Sequence, residues 1–560
     1  MWSVLVVLHS VWVGTALLLA PPAETWRTQP GPRRRATAVN PPGRCPSVWR
    51  ATDGSSSEET TTGNDETRVI MKFGGSSLAS ADRVREIASL VASFVEERAY
   101  RPVVVVSAMG KTTNAIMRAG ELAEKEGRVH VEEIRALHLD TLEALDLPSH
   151  TALEVRGLLR DLESLLDGVS MVRELTPRTR DLLASFGERL SCRVVAAHLE
   201  KAHGVPAVPR DAWTLGVTTV GRFGDSTVNE ACYGTVGASL EPLVSKGVVP
   251  VVTGFIGHDD DGRVVTLGRG GSDLTATALG AALKDCHEVQ VWKDVDGMMS
   301  ADPRVVRNAV PVPFATYDEA AELAYFGAQL LHPVSMQPAL RAGLPVRIKN
   351  SYNPDHPGTL ISSKEDSCLS KQCLVTAITS KRDITLVDVV SLRSVGQSGF
   401  LAAVFNTLER HGVSVDVVAT SEVSVSLTLD KKTTVPPAAV RDLESFAQVQ
   451  VRRNRAIVSL VGNNIKREST HLVALAFAAL DKRDKHVEMI SQGASKVAVA
   501  LVIEDDCADE VVTLLHDAFF DDVGTDTSSW SGPDVAERDA ADAPRQKTAA
   551  IAAAERMAAR

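Results

Sequence analysis

The segment that most restricts the fold of this chain is an uninterrupted run of β-branched residues. Residues 102–108 read PVVVVSA, which is typical of a strand buried on both faces of a parallel sheet. A second apolar strand, RVIMKFGGSS, begins at Arg68, and a helical pattern runs from about 114 to 167. Further apolar strands lie at 248–257 and 288–295. This order of strands and helices predicts an α/β domain with a mostly parallel sheet flanked by helices.

An internal repeat follows this domain. A strand, a helix and two more strands are predicted from ITLVDVVS (384–391) onward, and the same order returns from AIVSLVGNN (456–464). We therefore expect an α/β domain at 67–365 and two small α+β units at 378–452 and 453–521.

The two ends of the chain differ from this middle part. Residues 2–20 form an apolar run of the secretory-signal type, for which a membrane anchor is the alternative interpretation. The Arg-rich, acid-poor stretch behind it resembles the two-part leader that directs proteins into plastids surrounded by extra membranes. We expect residues 1–66 to be this leader and a disordered linker, residues 522–560 to be a disordered tail, and the mature protein to be free of the membrane.

Composition excludes other classes of protein. The chain carries 60 Lys and Arg against 71 Asp and Glu, and this acidic balance argues against a protein that holds nucleic acid by bulk charge. Its seven cysteines are odd in number and include no CxxC pair, so we expect reduced thiols and neither a disulfide framework nor a protein-only metal site.

Of two glycine-containing turns, one is a candidate for phosphate binding and the other is better explained as an ordinary strand-to-helix loop. In KFGGSS (72–77) a Gly pair brings backbone N–H groups to a helix N-terminus, and Lys72 adds a cation; an ordinary tight turn explains the pattern about equally well. The segment SAMGKTTN (107–114) is not a Walker A loop, because Val105 stands where that motif requires glycine.

Three further segments carry candidate polar residues. TLGRGGSDLTATALG (266–280) presents Arg269, a planar fork for a carboxylate, and Asp273, although a solvent loop with a capping Asp is the alternative. VWKDVDGMMSADPR (291–304) ends a strand where α/β sheets bind ligands. SFGERLS (185–191) places Glu188 in a helix rich in core residues, where a surface Glu is the usual explanation.

Together and in this order, these segments resemble aspartate kinase, a member of the amino acid kinase superfamily. The resemblance extends from about residue 68 to 520, and segments such as AYFGAQLLHP and VWKDVDG look most like the monofunctional plant plastid form. No GxGxxG unit follows the repeat, so we do not expect a fused dehydrogenase. The resemblance implies the amino acid kinase fold followed by two ferredoxin-like α+β ACT domains, one of them typically inserted in the other.

The reaction implied by the resemblance is phosphorylation of the β-carboxylate of L-aspartate with MgATP, giving 4-phospho-L-aspartate and ADP. It begins lysine, threonine and methionine biosynthesis. Because the nucleophile is already an anion, catalysis needs positioning and charge neutralisation more than a general base.

The resemblance also implies roles for individual residues. Lys72 would contact the transferring phosphoryl group and Asp273 would orient Lys72. The predicted aspartate pocket comprises Ser107, Thr113, Glu188, Arg269 and Ser272, with Glu188 on the ammonium group. The predicted ATP-binding residues are Lys72, Gly74, Gly75, Ser76, Lys293, Asp294, Met299, Arg304 and Gln329. At Met299 and Gln329 some bacterial members carry Tyr and Lys.

Feedback regulation through the ACT pair is implied as well, with lysine as the expected effector and threonine or S-adenosylmethionine as alternatives. The predicted effector-binding residues are Gln397, Gly399, Phe400, Leu401, Ser414, Val415, Asp416, Thr420 and Ser421. Asp416 is the expected partner of the effector's ammonium group. Ser394 and Val395 depart from the Met and Leu of many relatives, and the ACT domains imply at least a homodimer.

Two other functions fit part of the sequence. Another amino acid kinase, acting on acetylglutamate or glutamate, would share the Gly-rich loops but would not be expected to combine SFGE, RGGSD and paired ACT units. A catalytically inactive amino acid sensor would have no reason to keep Lys72, Glu188, Arg269 and Asp273 together.

Overall fold

The computed structural model describes residues 67–97, 100–328, 331–363, 374–392, 399–431, 433, 435–493 and 497–520. The predicted leader and tail lie outside these residues. The helices are α1 Ala81–Glu96, α2 Thr112–Glu126, α3 Glu132–Ala144, α4 Ser149–Val172, α5 Pro177–His203, α6 Tyr233–Val244, α7 Gly271–Ala282, α8 Tyr317–Tyr325, α9 Pro333–Ala342, α10 Phe400–Arg410, α11 Pro437–Glu444, α12 Ile465–Asp481 and α13 Ala508–Phe520.

The strands divide into those of the parallel-sheet part (67–363) and those of the antiparallel-sheet part (374–520). The first set is β1 Thr67–Phe73, β2 Tyr100–Val106, β3 Ala207–Arg210, β4 Thr219–Arg222, β5 Asp225–Val228, β6 Val249–Thr253, β7 Ile256–His258, β8 Val264–Thr266, β9 Cys286–Lys293, β10 Met298–Met299, β11 Pro311–Val312, β12 Phe314–Thr316, β13 Val346–Asn350 and β14 Thr359–Ser362. The second set is β15 Ala377–Ser391, β16 Val418–Thr420, β17 Ser424–Leu429, β18 Ala447–Val461, β19 Met489–Gln492 and β20 Ala498–Glu504.

The parallel-sheet part has an eight-stranded sheet in the order β12-β14-β13-β9-β1-β2-β6-β3. Every pairing in it is parallel except β13 with β14, so the predicted fold class is confirmed. Val69, Met71 and Phe73 pack with helices α1–α5, whereas Ile70 belongs to the core formed with α6, α7 and α9. Lys72 shares the face of Ile70, because side chains alternate along a strand, and this directs it toward α7.

The helical pattern predicted from 114 to 167 is three helices in the structure. Helix α2 ends at Gly127 and α4 begins after Pro148, with α3 between them. Both residues are common at the ends of helices, because Gly favours a C-terminal cap and Pro lacks a backbone donor. Helix α7 begins at Gly271, so that Asp273 lies in its first turn.

The antiparallel-sheet part is one six-stranded sheet in the order β16-β17-β15-β18-β20-β19. The repeat appears as β15-α10-β16-β17 and then β18-α12-β19-β20. Strands β15 and β18 pair along nearly their whole length, from Ala377 opposite Val461 to Ser391 opposite Ala447. Strand β18 therefore crosses the predicted boundary at 452/453 without a break, and the division into two ACT units remains a prediction.

The two parts share a hydrophobic core. Ala301 and Val306, which follow β10, are buried with Leu472, Val511 and Leu515 of helices α12 and α13. The Ser300 hydroxyl lies 2.8 Å from Nε2 of the buried His516 in α13. The segment after β10 is thus held by the C-terminal helices.

A buried carboxylate also connects the two parts. Glu319 of α8 accepts hydrogen bonds from the Thr376 hydroxyl at 2.6 Å and the Asn463 amide at 2.8 Å, and its other oxygen caps its own helix at Thr316. Helix α8 is therefore fixed to the antiparallel-sheet part at its first turn. None of the helices within the described residues is both long enough and apolar enough to cross a bilayer.

Candidate active site

Two loops meet backbone to backbone at the carboxyl edge of the parallel sheet. Gly74 and Gly75 follow β1, and the Gly110 amide donates a 3.0 Å hydrogen bond to the Gly75 carbonyl. A Cβ atom on Gly75 would lie 2.7 Å from the Gly110 carbonyl oxygen, closer than two such atoms can approach. Glycine at 75 is therefore required by close packing, and the turn brings backbone N–H groups toward the end of β1.

Asp273 lies between two lysine ammonium groups. Its Oδ1 is 2.6 Å from Nζ of Lys72, and its Oδ2 is 3.7 Å from Nζ of Lys293. Burial alone would raise the pKa of Asp273, but the charges of the two lysines outweigh it and hold that pKa below its usual range. Two cations against one carboxylate leave net positive charge, which suits an incoming phosphate.

Lys293, at the end of β9, has a lowered pKa. Burial disfavours its charge most, and repulsion by Lys72 adds to the effect, while attraction by Asp273 opposes it. Lys72 reaches the cluster from β1 and Asp273 from α7, and both residues are largely buried. Three elements that are distant in sequence thus build the cluster.

Glu188 lies on the buried face of α5 and is 4% exposed. Burial raises its pKa to about 8, although backbone hydrogen bonds and the charge of Lys72 act in the opposite direction. Within the described part of the chain its Oε2 atom has no hydrogen-bond partner. A buried carboxylate oxygen without a partner is suited to a cationic group of a ligand.

A cavity of about 450 Å³ brings the predicted aspartate pocket together with the lysine cluster. Its lining includes seven predicted residues, which are Lys72, Ser107, Thr113, Glu188, Arg269, Ser272 and Asp273. Its other lining residues are Gly224, Phe255, Leu267, Gly268, Gly270 and Gly271. None of these six was a predicted site residue. Leu267, Gly268, Gly270 and Gly271 lie in the segment TLGRGGSDLTATALG that carries Arg269 and Asp273, whereas nothing in the sequence around Gly224 or Phe255 marks either as a cavity residue.

The glycines around Arg269 have structural causes. Gly270 has φ +73°, and a Cβ atom there would also lie 2.8 Å from Cβ of His332. Phe255 adopts φ +69°, which is uncommon for a residue other than glycine, and its amide donates to the Thr275 hydroxyl at 3.0 Å. The loop between β8 and α7 places Arg269 at the cavity. No described residue forms an ion pair or hydrogen bond with its guanidinium.

The other described residues of the predicted ATP-binding set do not line this cavity. Asp294 and Met299 follow β9, and Arg304 is exposed with its guanidinium paired to Asp302 at 2.6 Å. Gly74, Gly75 and Ser76 border Lys72 at the turn. Gln329 lies outside the described residues.

The predicted effector residues lie on two segments of the antiparallel-sheet part. Gly399, Phe400 and Leu401 begin α10. Ser414, Val415 and Asp416 precede β16, and Thr420 and Ser421 follow at its end. Gln397 is outside the described residues.

Asp416 is already engaged by other side chains. Its Oδ2 lies 2.6 Å from Nζ of Lys381, and its Oδ1 accepts a 3.2 Å hydrogen bond from the hydroxyl of Tyr325 in α8. A second cavity, of about 490 Å³, opens between α8 and this region. It is lined by Ala321, Glu322, Tyr325, Phe326, Pro333, Asp416, Val417, Val418, Ser491, Gly493, Ala498 and Ala500.

Comparisons with known proteins identify the same two parts. Residues 67–350 match the model of the amino acid kinase family, and residues 458–519 match that of the ACT domain. The chain is 47% identical to aspartokinase 1, chloroplastic, of Arabidopsis thaliana, over 81% of this chain and 80% of that protein. It is 33% identical to lysine-sensitive aspartokinase 3 of Escherichia coli K12, over 81% of this chain and 99% of the relative.

Solved structures agree with these sequence matches. Escherichia coli aspartokinase III in complex with aspartate and ADP, in the R-state, superimposes with a TM-score of 0.67 at 31% identity, covering 81% of this chain and 99% of that one. The same enzyme in complex with lysine and aspartate, in the T-state, gives a TM-score of 0.65 at 32% identity, with the same coverage.

Proposed function

Because this chain belongs to the amino acid kinase family and, within it, to the aspartate kinases, we propose that the cavity at the carboxyl edge of the parallel sheet is where it phosphorylates L-aspartate. The chain is a phosphotransferase that uses ATP and acts in amino acid biosynthesis. The observation that carries the assignment to this cavity is that Lys72, Asp273, Glu188 and Arg269 all line it.

Opposite charges at the cavity would orient the amino acid. The unpartnered Oε2 of Glu188 would receive the ammonium group, and the free guanidinium of Arg269 would hold a carboxylate. Ser107, Thr113 and Ser272 would supply hydroxyl groups. With its ammonium group and one carboxylate held, the substrate would direct its β-carboxylate toward the lysine cluster. Binding would thereby supply the entropic cost of aligning the β-carboxylate with the phosphoryl group.

The lysine cluster would neutralise the phosphoryl group during transfer. Lys72 faces the cavity with Asp273 fixing its ammonium at 2.6 Å, and Lys293 adds a second cation. The amides of Gly74, Gly75 and Ser76 would border the phosphates, and Asp294, Met299, Arg304 and Gln329 would contact the rest of ATP. A preorganised cation lowers the barrier because it need not reorient as charge shifts from one oxygen to another.

Mg²⁺ would be supplied with the nucleotide. In the described ranges no group of three His, Cys, Asp or Glu side chains could hold a metal ion. Mg²⁺ at kinase sites is commonly held by phosphates and only one or two carboxylates, so the absence of such a cluster is compatible with MgATP as the substrate.

The test of this function is an assay of ADP release with L-aspartate, L-glutamate and N-acetyl-L-glutamate as acceptors. Of these three acceptors, we expect only L-aspartate to give turnover. Turnover with one of the other acceptors would instead indicate a different amino acid kinase, and a folded protein without any turnover would indicate an amino acid sensor.

Regulation would pass through Asp416. The ammonium group of Lys381 already pairs with this carboxylate, and the hydroxyl of Tyr325, in α8 of the parallel-sheet part, donates to it. An effector that replaces Lys381 would therefore change a contact of α8, and this gives it different affinities for two states of the enzyme. We propose lysine as this effector, with threonine and S-adenosylmethionine as the alternatives, in a homodimer or larger assembly.

Replacing Asp416 with asparagine should weaken feedback inhibition. An ionic hydrogen bond contributes about 1.5–3 kcal/mol, so the lysine concentration for half-inhibition should rise at least about tenfold. The control is Asp442→Asn, which changes a partly exposed acid of α11 paired with His411. Equal lysine sensitivity of wild type and Asp416→Asn would contradict the assignment, and inhibition by threonine or S-adenosylmethionine instead would identify another effector.

We propose a plastid location for this chain, supported by the names of its relatives. Aspartokinases 1, 2 and 3 of Arabidopsis thaliana are chloroplastic, which supports plastid targeting of this chain. We propose that residues 1–66 direct it there. A fluorescent protein fused behind residues 1–66 should enter the plastid, and its retention outside would contradict this proposal.

A further inference from the structure

Asp181 is a buried carboxylate that stands next to the active-site cavity without lining it. It lies in α5, two helical turns before Glu188, and is 3% exposed. Residues seven apart share one face of a helix, so both acids point from α5 toward the same side. Glu188 contacts the cavity, whereas Asp181 points at the backbone behind it.

Three hydrogen bonds engage Asp181. Its Oδ2 accepts from the amides of Gly224 at 3.0 Å and Thr266 at 2.8 Å. Its Oδ1 accepts from the Thr266 hydroxyl at 2.8 Å. Gly224 lies at the tip of the β4–β5 hairpin and lines the cavity, and Thr266 ends β8, three residues before Arg269. One side chain therefore joins three segments that form the cavity wall.

The two segments held by Asp181 also contact each other. The Ser226 hydroxyl donates to the Thr266 carbonyl at 2.8 Å, and the Gly268 amide donates to the Ser226 carbonyl at 3.1 Å. Hydrogen bonds therefore join the hairpin to the start of the Arg269 loop, and Asp181 ties both segments to α5. None of the hydrogen bonds of Asp181 reaches Lys72, Lys293 or the glycine turn after β1.

We propose that Asp181 is a positioning residue for the amino acid acceptor, which sets the distance between Arg269 and Glu188 without touching the substrate. The proposal rests on the assignment of the cavity to L-aspartate. Arg269 and Glu188 must bind opposite ends of one small molecule, so a shift of one relative to the other weakens acceptor binding. The lysine cluster is built on β1, β9 and α7, so ATP binding is left nearly unchanged.

The test is Asp181→Asn in the full-length protein, with steady-state kinetics for both substrates. Asparagine keeps the size of the side chain but replaces an acceptor oxygen with an NH₂ group that faces backbone donors. We expect the KM for aspartate to rise at least about tenfold, because displacements of about 1 Å at a reacting centre have effects of this size or larger. The KM for ATP should change less than about twofold.

Two companion variants make the result specific. Thr266→Val removes only the hydroxyl donor and should raise the KM for aspartate in the same direction by a smaller factor. Glu288→Gln is the matched control, since Glu288 is also buried and paired, with Arg347 at 2.9 Å, but lies at the opposite end of β9 from Lys293. It should alter thermal stability and leave the KM for aspartate unchanged.

Equal changes in the KM values of aspartate and ATP, or a loss of stability alone, would overturn the positioning role. Should Asp181→Asn fail to fold, Thr266→Val decides, and an unchanged KM for aspartate in that variant would overturn the proposal. A wild-type protein without aspartate-dependent turnover would refute the proposed function, whereas an active wild type with unaltered variants would refute only the role of Asp181.

Discussion

Replacing Lys72 with methionine should lower kcat by about 10³-fold, the effect of removing one preorganised group that stabilises charge in a transition state. Methionine keeps most of the length and apolar stem of the side chain but removes its charge. Asp273 would then be balanced only by Lys293 at 3.7 Å, and the net positive charge of the cluster would be lost. The KM for aspartate should change much less, because Glu188 and Arg269 are untouched.

The measurement is steady-state kinetics, with one substrate varied while the other is saturating, together with thermal unfolding. Lys246→Met is the control, since Lys246 is exposed and precedes β6, at the edge of the sheet opposite the cluster. We expect the control to be fully active. A Lys72→Met protein that unfolds like the wild type and retains more than about a tenth of its kcat would show that another cation neutralises the phosphoryl group.

Replacing Glu188 with glutamine should raise the KM for aspartate by about 10²-fold. A buried contact between an ammonium group and a carboxylate contributes roughly 3 kcal/mol, and glutamine retains its shape without its charge. The effect on kcat at saturating aspartate should be smaller, because in the proposed binding mode Glu188 holds the ammonium end of the substrate, which does not react.

The pH dependence gives a second measurement of the same residue. In the free enzyme the pKa of Glu188 is raised to about 8, so below that pH the carboxyl is mostly protonated. Binding an ammonium group requires the carboxylate, and the proton must therefore leave when aspartate binds. The affinity for aspartate should increase as pH rises through about 8 and then level off, and this dependence should vanish in Glu188→Gln. An identical pH profile in both proteins would contradict the assigned role.

Local sequence patterns predicted the elements of the fold better than their bounds. The valine run and the Gly-Gly turn predicted strands β2 and β1 because a buried parallel strand has little choice of residue. The break between α2, α3 and α4 was not predicted, since charges and leucines continue across it. The length of β15 and β18 was not predicted either, because it depends on pairing between segments about seventy residues apart.

Residues of the candidate site could be predicted where they lie within a recognisable motif. Lys72 and Asp273 were only weak candidates by themselves. The resemblance to aspartate kinase, which rests on the order of the motifs, implied that Asp273 orients Lys72. Asp181 carries no such signal, because its partners Gly224 and Thr266 are 43 and 85 residues away and two of the three hydrogen bonds use backbone amides. The pairing of Asp416 with Lys381 was missed for the same reason, since only the fold brings β15 beside the segment before β16.

The core that joins Ala301 and Val306 to helices α12 and α13 limits how this enzyme can be dissected. A truncation that removes the ACT region would leave these apolar side chains facing water, and the segment that bears Met299 and Arg304 would lose its support. If Met299 and Arg304 contact ATP as proposed, feedback resistance obtained by deletion would therefore come with lower solubility and weaker nucleotide binding. A desensitised enzyme is better sought through single replacements near Asp416, which leave that shared core in place.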